Sequence, residues 1–271
     1  MAKNIMITGA TDGLGQGLAD RLAADGHRLV LHGRDRRRLD AAADRAESLS
    51  GIRPKTVRGD LARLDDVAAI VSEVDKVTDR IDVLINNAGV GPGNPNDHAR
   101  ALSADGHELR LAVNYLAPFA LTLGLAGLLG RGVAPRVVNV ASDGQARVDL
   151  ENLMLVEGYS GELAYCRSKL ALIAFSLSLS ERWDVAVNSV HPGSAMPTKM
   201  VDEIGVDTID TLHGGVEAVC RVAIDPSLEG VSGRYFNRMR EDRAHEQVYD
   251  LDFRRALWDA SVALTGASEA A

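Results

Sequence analysis

Short apolar runs alternate with longer amphipathic stretches along most of the chain. The short runs are rich in β-branched and aliphatic residues and predict strands at 4–8, 28–32, 55–58, 81–86, 136–141, 185–190 and 233–236. The longer stretches repeat apolar residues at helical spacing and predict helices at about 13–25, 36–49, 64–79, 101–129, 161–182, 208–224 and 251–264. Strands that are apolar on both faces, and that are separated by helices, indicate a parallel sheet covered on both sides. We therefore predict an α/β fold with a doubly wound sheet, in a single domain spanning residues 1–271.

The composition narrows the class of protein. The 271 residues are 46% hydrophobic and 25% charged, which is ordinary for a soluble globular protein. A net charge of −8 offers no electrostatic footprint for nucleic acid. Cys166 and Cys220 lack a CxxC motif and histidines at ligand spacing, so we expect neither a disulfide framework nor a metal site. Because no apolar span reaches about 18 residues, we expect a cytoplasmic protein with no signal peptide, membrane helix or membrane partner.

Three long segments each follow a predicted strand: residues 90–100, 143–160 and 193–207. They are polar or irregular. In doubly wound sheets, ligands bind outside the carboxyl ends of the strands. We therefore expect these three segments to form the walls of one pocket.

The sequence TGATDGLG, residues 8–15, connects the first predicted strand to the first predicted helix and carries glycines at positions 9, 13 and 15. A glycine-rich turn lets backbone N–H groups approach a pyrophosphate, and the helix N-terminus adds positive potential. The spacing differs from G-x-G-x-x-G, and a flexible turn with incidental glycines is the simpler alternative. We predict a nucleotide site here.

Further motifs follow in order: Asn86-Asn87-Ala88-Gly89 after the fourth strand, Asn114, Ser142, Tyr165 to Lys169, and Pro192-Gly193. With these, the chain from about residue 4 to residue 200 resembles the short-chain dehydrogenase/reductase family. The segment 143–160 and the His32-Gly33-Arg34 stretch resemble its retinol-dehydrogenase-like branch. The resemblance implies a single Rossmann-type domain with about seven parallel strands and a nicotinamide cofactor. The residues that we expect to bind this cofactor are Thr8, Gly9, Thr11, Asp12, Gly13, Leu14, Gly15, Arg34, Asp60, Leu61, Asn87, Ala88, Gly89, Tyr165, Lys169, Pro192, Gly193 and Thr198.

Tyr165 and Lys169 are four positions apart, so both side chains lie on one face of the predicted helix. A nearby ammonium stabilises a phenolate, so we expect it to lower the pKa of Tyr165 enough for proton exchange with a carbonyl or alcohol oxygen. Taken alone, a tyrosine and a lysine at this spacing are more often an accidental pair on the protein surface. Ser142 strengthens the hypothesis because its hydroxyl can hydrogen-bond the substrate oxygen as charge develops. The resemblance implies that Lys169 also contacts the nicotinamide ribose.

Asn114 is the fourth candidate catalytic residue. Pro118 lies four positions later and has no N–H, so the Asn114 carbonyl loses its helical partner and the helix should bend. A freed carbonyl can hold a water, and the resemblance implies a water of the proton relay to Lys169. The alternative is a tolerated kink without a chemical role.

The end of the second strand bears on the choice of cofactor. NAD enzymes place a carboxylate there, whereas an arginine accommodates the 2′-phosphate of NADP. This chain has Gly33 followed by Arg34, which favours NADP(H) over NAD(H). Asp35 is one position too late for the carboxylate contact and is predicted to cap the next helix. Asp60 and Leu61 match the family's adenine-contacting pair.

Two departures from the family pattern concern the substrate side. Ser142 and Tyr165 are separated by an unusually long segment, which predicts an enlarged substrate loop at 143–160. Thr198, the candidate contact for the nicotinamide carboxamide, stands one position later than usual. The apolar residues of the pocket segments suggest a moderately hydrophobic substrate: Val148, Leu150, Leu153, Met154, Leu155 and Met196.

We therefore predict an NADP(H)-dependent oxidoreductase acting on a small-molecule ketone, aldehyde or secondary alcohol. A catalytically silent NADP-binding sensor or scaffold is the alternative, although serine, tyrosine and lysine are all present. A sugar-nucleotide epimerase is disfavoured by the glycine spacing and the short carboxyl-terminal part.

The helix at 161–182 is apolar almost all round, including Leu170, Ala174 and Leu177 opposite the catalytic face. Such a helix is expected to be buried all round. The cover could be the 101–129 helix of the same chain or the same helices of a second subunit. The resemblance favours the second case, and we predict a homodimer.

Overall fold

The computed structural model describes residues 1–94 and 99–267. Its strands are β1 (Asn4–Ile7), β2 (Arg28–Gly33), β3 (Lys55–Arg58), β4 (Val83–Asn86), β5 (Arg136–Val140), β6 (Ala186–His191), β7 (Tyr235–Asn237) and β8 (Arg240–Asp242). Within the described ranges they form a single sheet in the order β3-β2-β1-β4-β5-β6-β7-β8. The first seven run parallel, which confirms the doubly wound α/β prediction. The antiparallel β8 was not predicted, because three charged residues show no apolar alternation.

The helices are α1 (Gly13–Ala24), α2 (Arg36–Ser50), α3 (Leu64–Val77), α4 (Leu109–Leu111), α5 (Ala117–Gly124), α6 (Ala126–Gly130), α7 (Gly161–Ser180), α8 (Lys199–Ile204), α9 (Leu212–Ile224) and α10 (Leu251–Thr265). A π-helical turn covers Ala112–Leu116, and 3-10 turns cover Pro226–Leu228 and Glu246–Tyr249. Among the described residues, no helix combines the length and apolarity needed to cross a membrane.

The side chains of the central strands alternate between two apolar cores, one on each face of the sheet. Met6 lies in register between Val30 and Leu84, and these side chains belong to the core that α3, α5, α7 and α10 cover. The next residue, Ile7, belongs with Leu31 to the core under α1, α2 and α9. Because a strand turns successive side chains to opposite faces, both faces of the sheet are buried.

The predicted helix at 101–129 begins only at Leu109. Leu102 and Glu108 instead form an isolated bridge, and the Glu108 carboxylate accepts a hydrogen bond from the backbone of Leu111, which caps the helix start. The expected irregularity ahead of Pro118 is a π-helical turn, in which the Ala117 N–H reaches back to the Ala112 carbonyl. Such turns accommodate a missing donor inside a helix.

We expected α7 to be buried all round and left open whether its own chain or a second subunit covers it. Residues from Ser168 to Leu179 are all buried within one chain. The cover includes α10, whose Trp258 packs against Phe175 of α7 and Phe119 of α5 at ring-centroid distances of 5.9 and 5.0 Å. The homodimer therefore rests on the family resemblance alone and stays a prediction.

Candidate active site

The glycine-rich turn leaves β1 at the carboxyl edge of the sheet. Gly9 and Gly13 have φ values of +65° and +46°, a region that side chains with a Cβ seldom adopt. A Cβ on Gly15 would overlap the carbonyl oxygen of Gly9 and the amide of Asn87. The Asp12 carboxylate caps the start of α1 by accepting from the backbone of Gly13 at 2.8 Å, whereas Leu14 turns into the core. At positions 9, 13 and 15 the turn therefore presents backbone without side chains, whereas the Asp12 side chain is half exposed.

Thr8 and Asn87 connect this turn to the end of β4. The Thr8 hydroxyl accepts hydrogen bonds from the backbone N–H groups of Asn87 and Ala88, both at 3.0 Å. In return, the Asn87 amide donates to the carbonyl oxygens of Thr8 and Gly9 at 2.9 and 3.2 Å. The predicted site residues of β1 and β4 thus form one rigid unit.

His32 lies beneath the turn and was not predicted from the sequence. The Gly9 N–H donates to its Nδ1 at 3.3 Å, so the proton sits on Nε2, which faces the Gly59 carbonyl oxygen at 3.1 Å. Burial lowers the pKa of His32 to about 4, and the ring is therefore neutral at neutral pH. This histidine joins the ends of β1, β2 and β3; its only signal in the sequence is a polar residue in an apolar strand.

The end of β2 has no room for a side chain at Gly33. A Cβ there would lie 2.7 Å from the Thr11 methyl group and 3.2 Å from Leu39. Arg34 follows and is exposed to solvent. The predicted helix cap is confirmed, because the Asp35 carboxylate accepts from the backbone of Arg38 at 3.0 Å.

The two other predicted residues of this region follow β3, where Asp60 is partly exposed and Leu61 is buried.

An ion pair joins α2 to the start of α1: the Arg38 guanidinium contacts the Asp12 carboxylate at 2.5 Å and lowers the pKa of that carboxyl group. Arg38 is thereby engaged with the glycine-rich turn. Arg34 remains the exposed cation that directly follows β2.

Ser142, Tyr165 and Lys169 meet where β5 ends against α7. The Ser142 hydroxyl hydrogen-bonds Tyr165 and accepts from the backbone of Gly144 at 3.0 Å. The Lys169 ammonium is buried, lies 5.7 Å from the centre of the Tyr165 ring and donates to the Val140 carbonyl at 2.8 Å.

The electrostatics of this trio differ from our expectation. Burial raises the pKa of Tyr165, with the Ser142 hydrogen bond opposing it, whereas we expected Lys169 to lower it. The ammonium points at the Val140 carbonyl instead of the phenol oxygen, which explains the difference. Burial also lowers the pKa of Lys169 to about 8. At neutral pH the pair therefore holds a protonated tyrosine beside a largely protonated lysine.

Asn114 acts through its side chain in this structure. Its carbonyl oxygen Oδ1 accepts from the backbone of Val90 at 2.7 Å, and its Nδ2 donates to the Val90 carbonyl and to the Ser168 hydroxyl, both at 3.0 Å. These bonds tie α7 to the segment after β4. A Cβ on Gly89 would lie 3.2 Å from Asn114 Oδ1 and 3.6 Å from Lys169 Nζ, so glycine keeps that space open.

The segment after β6 lies against the glycine-rich turn and against the segment after β4. It starts with Pro192 and Gly193, and it contains the short helix α8, although we predicted 193–207 as irregular. The Thr198 methyl group lies 3.1 Å from the point where a Cβ on Gly13 would stand. The Met200 side chain occupies the point where a Cβ on Gly91 would stand. Thr198 is therefore next to the glycine-rich turn, and Met200 is next to the segment after β4.

The other two segments are joined by Arg110, which sequence reasoning missed. Its guanidinium donates to the carbonyls of Gly91 and Pro92 at 2.8 and 2.6 Å and to the Tyr159 hydroxyl at 2.7 Å. The predicted walls 90–100 and 143–160 thus meet, as far as they are described; residues 95–98 of the first lie outside the described residues.

Half of the apolar residues that we assigned to the pocket lie in the core instead. Val148 and Leu155 are buried, and Met196 packs against Gly215 and Leu14 under the sheet. Leu150, Leu153 and Met154 are partly exposed. The remaining apolar wall is therefore smaller than predicted.

Comparison with known proteins identifies similar chains. Residues 3–208 match the family model described as short chain dehydrogenase. Retinol dehydrogenase 14 of Mus musculus is 33% identical over 294 residues, covering 97% of this chain and 86% of that protein. A Streptomyces sp. (strain C5) protein, provisionally named the daunorubicin C-13 ketoreductase DnrU, is 31% identical over 279 residues, covering 97% and 93%. A solved Escherichia coli CFT073 structure, complexed with NADPH, has a TM-score of 0.71 at 23% identity, covering 88% and 97%.

Proposed function

The chain belongs to the short-chain dehydrogenase/reductase family, and we propose that it transfers a hydride between NADP(H) and a ketone, aldehyde or secondary alcohol of a small, moderately hydrophobic molecule. One observation carries this proposal. Ser142, Tyr165 and Lys169 converge at the carboxyl edge of the sheet, and Asn114 ties their helix to the β4 side of the same cleft. Proton-transfer groups beside a glycine-lined cleft are what such a reaction requires.

The residues around the cleft fit a dinucleotide. Gly9, Gly13 and Gly15 keep side chains away from the start of α1, where a pyrophosphate would bind. Gly89 leaves space beside Lys169 for a ribose. Thr198 lies within reach of the same turn and is our candidate for the carboxamide contact.

The preference for NADP(H) over NAD(H) rests on the end of β2. Position 33 is glycine, so the carboxylate contact typical of NAD enzymes is absent, and a Cβ there would be crowded by the Thr11 methyl group at 2.7 Å. Arg34 is exposed and can bind a 2′-phosphate. The NADPH complex of a protein with a similar fold is consistent with this choice.

When bound, the nicotinamide supplies or accepts the hydride. Tyr165 donates the proton to the carbonyl oxygen during reduction, and its raised pKa keeps that proton available at neutral pH. The Ser142 hydroxyl, next to Tyr165, hydrogen-bonds the same oxygen. Lys169 borders the space that Gly89 leaves open and is our candidate for the contact with the nicotinamide ribose.

The similar proteins support an alcohol or carbonyl substrate, since one is named a retinol dehydrogenase and another, provisionally, a ketoreductase. The partly exposed Leu150, Leu153 and Met154 supply apolar contact for it. A homodimer and a cytoplasmic location remain predictions from the resemblance and the composition.

Tyr165→Phe tests the proposal. The change removes one hydroxyl and keeps the ring, so we expect NADPH-dependent carbonyl reduction to fall by ~10²-fold or more, while NADPH affinity measured by fluorescence is retained. Tyr249→Phe, at an exposed tyrosine, serves as the control. Unchanged turnover in Tyr165→Phe would mean that a group other than Tyr165 donates the proton to the carbonyl oxygen. Tight NADPH binding by the wild-type protein without reduction of any carbonyl compound would favour a sensor.

A further inference from the structure

Asp143 directly follows Ser142 at the end of β5 and has a half-exposed side chain, 48% accessible to solvent. Its Oδ1 atom lies 3.5 Å from the Ser142 hydroxyl oxygen, at the outer limit of a hydrogen bond. Its charge raises the pKa of Tyr165, although burial is the larger cause. A carboxylate therefore faces the point where the reacting oxygen would bind.

The other oxygen of this carboxylate is held in place. The Ser194 hydroxyl donates to Oδ2 at 3.0 Å, and His191 Nε2 lies 3.3 Å from the same atom. His191 is almost fully buried, and burial lowers its pKa, so its ring is neutral at neutral pH and leaves the carboxylate charge in place. Ser194 and His191 thus fix Oδ2 and leave Oδ1 directed at the site.

An arginine close to this carboxylate, Arg238, forms its ion pair with another residue. Arg238 pairs with Asp210 at 2.6 Å and approaches Ser194 only at 3.4 Å. The Lys169 ammonium donates to the Val140 carbonyl. Within the part of the chain that the structure describes, the Asp143 carboxylate forms no ion pair with lysine or arginine, and the basic side chain that contacts it is the neutral His191. The negative charge beside Ser142 is therefore available to a substrate.

We propose that Asp143 determines substrate choice by binding a hydrogen-bond donor, best an ammonium group, one or two carbons from the reacting carbonyl. Amino ketones and amino alcohols are the corresponding substrate class. The geometry gives the reason: an oxygen held by Ser142 and Tyr165 places the neighbouring substituent beside Asp143 Oδ1. An ammonium there makes a charge-assisted hydrogen bond, whereas a substrate carboxylate meets a like charge. This inference rests on the proposed carbonyl-binding site.

The test compares three ketones that share a phenyl ketone core. β-Aminopropiophenone carries an ammonium, butyrophenone is its neutral counterpart, and β-benzoylpropionate carries a carboxylate. Dissociation constants are measured by calorimetry with saturating NADP⁺, and turnover is measured separately with NADPH. A charge-assisted contact at a half-exposed site is expected to favour the ammonium ketone over the neutral one by ~10-fold. The carboxylate ketone should bind most weakly.

In the wild-type protein the dissociation constant of the ammonium ketone should be about one tenth of that of the neutral ketone, and Asp143→Asn should raise this ratio to about one. Asp143→Ser provides a second variant if the first folds poorly. Asp149→Asn, an exposed carboxylate on the same loop, is the matched control and should keep the wild-type ratio. Equal binding of all three ketones by the wild-type protein, or an unchanged ratio in both Asp143 variants, would overturn the inference. Absent turnover of every ketone would instead contradict the proposed function, while the dissociation constants still decide the role of Asp143.

Discussion

Acid should destabilise the protein through His32, the buried histidine beneath the glycine-rich turn. Its Nδ1 must stay unprotonated to accept from Gly9, and its ring has almost no contact with water. Protonation would break that hydrogen bond and bury a charge. Lowering the pH is therefore a perturbation that acts directly on the cofactor cleft.

The magnitude follows from the shift of the His32 pKa from 6.5 to about 4. The unfolded chain binds this proton more tightly, so the free energy of unfolding falls as the pH drops from 6.5 towards 4. Since each pKa unit corresponds to about 1.4 kcal/mol, the loss between about pH 7.5 and about pH 5 is ~2 kcal/mol. Above pH 6.5 this group contributes little to the pH dependence.

Urea unfolding at several pH values measures the effect. Burial also lowers the pKa of His27 and His191, so the wild-type curve contains contributions from these as well. Comparison with His32→Gln isolates the contribution of the His32 ring. Over the same pH interval, the free energy of unfolding of the variant should fall by ~2 kcal/mol less than that of the wild-type protein. His213→Gln, at an exposed histidine, is the control and should follow the wild-type curve. Parallel curves for wild type and His32→Gln would refute the argument.

Two further predictions follow from the site and the core. Arg34→Ala should weaken NADPH binding by ~10-fold and leave NADH binding nearly unchanged, because only NADPH has the 2′-phosphate; fluorescence titration measures both, and Arg28→Ala at the opposite end of β2 is the control. Tighter NADH than NADPH binding by the wild-type protein would contradict the assignment. Trp258→Ala should lower the free energy of unfolding by ~3–5 kcal/mol, since it removes the ring that α10 packs against Phe119 and Phe175. Trp183→Ala, at a partly exposed tryptophan, should cost clearly less in the same denaturation experiment.

The elements with a strong hydrophobic period could be predicted from the sequence. The bounds of β3 agree with the prediction, and β1, β2, β5 and β6 agree within a residue or two. Short elements could not be predicted, because α8 and β8 are too brief to show a period. The cover of α7 by α10 depends on contacts between Phe175 and Trp258, more than 80 positions apart, which a local pattern does not specify.

The same distinction between local pattern and long-range contact applies to the residues of the candidate site. Tyr165 and Lys169 share one helix turn, so spacing alone predicted that they would lie together. His32 and Arg110 gain their roles only from partners on other elements, such as Gly59 and Tyr159. Burial, rather than the expected ammonium, controls the pKa of Tyr165, and burial is a property of the folded chain.

The two outer strands of the sheet have a consequence for the behaviour of the protein at high concentration. β8 consists of Arg240, Glu241 and Asp242, all exposed, and β3 has exposed Lys55 and Arg58 at its two ends. A strand from another molecule that paired with either margin would have to displace water from these charges. Both margins of the sheet therefore oppose the strand addition that begins ordered aggregation.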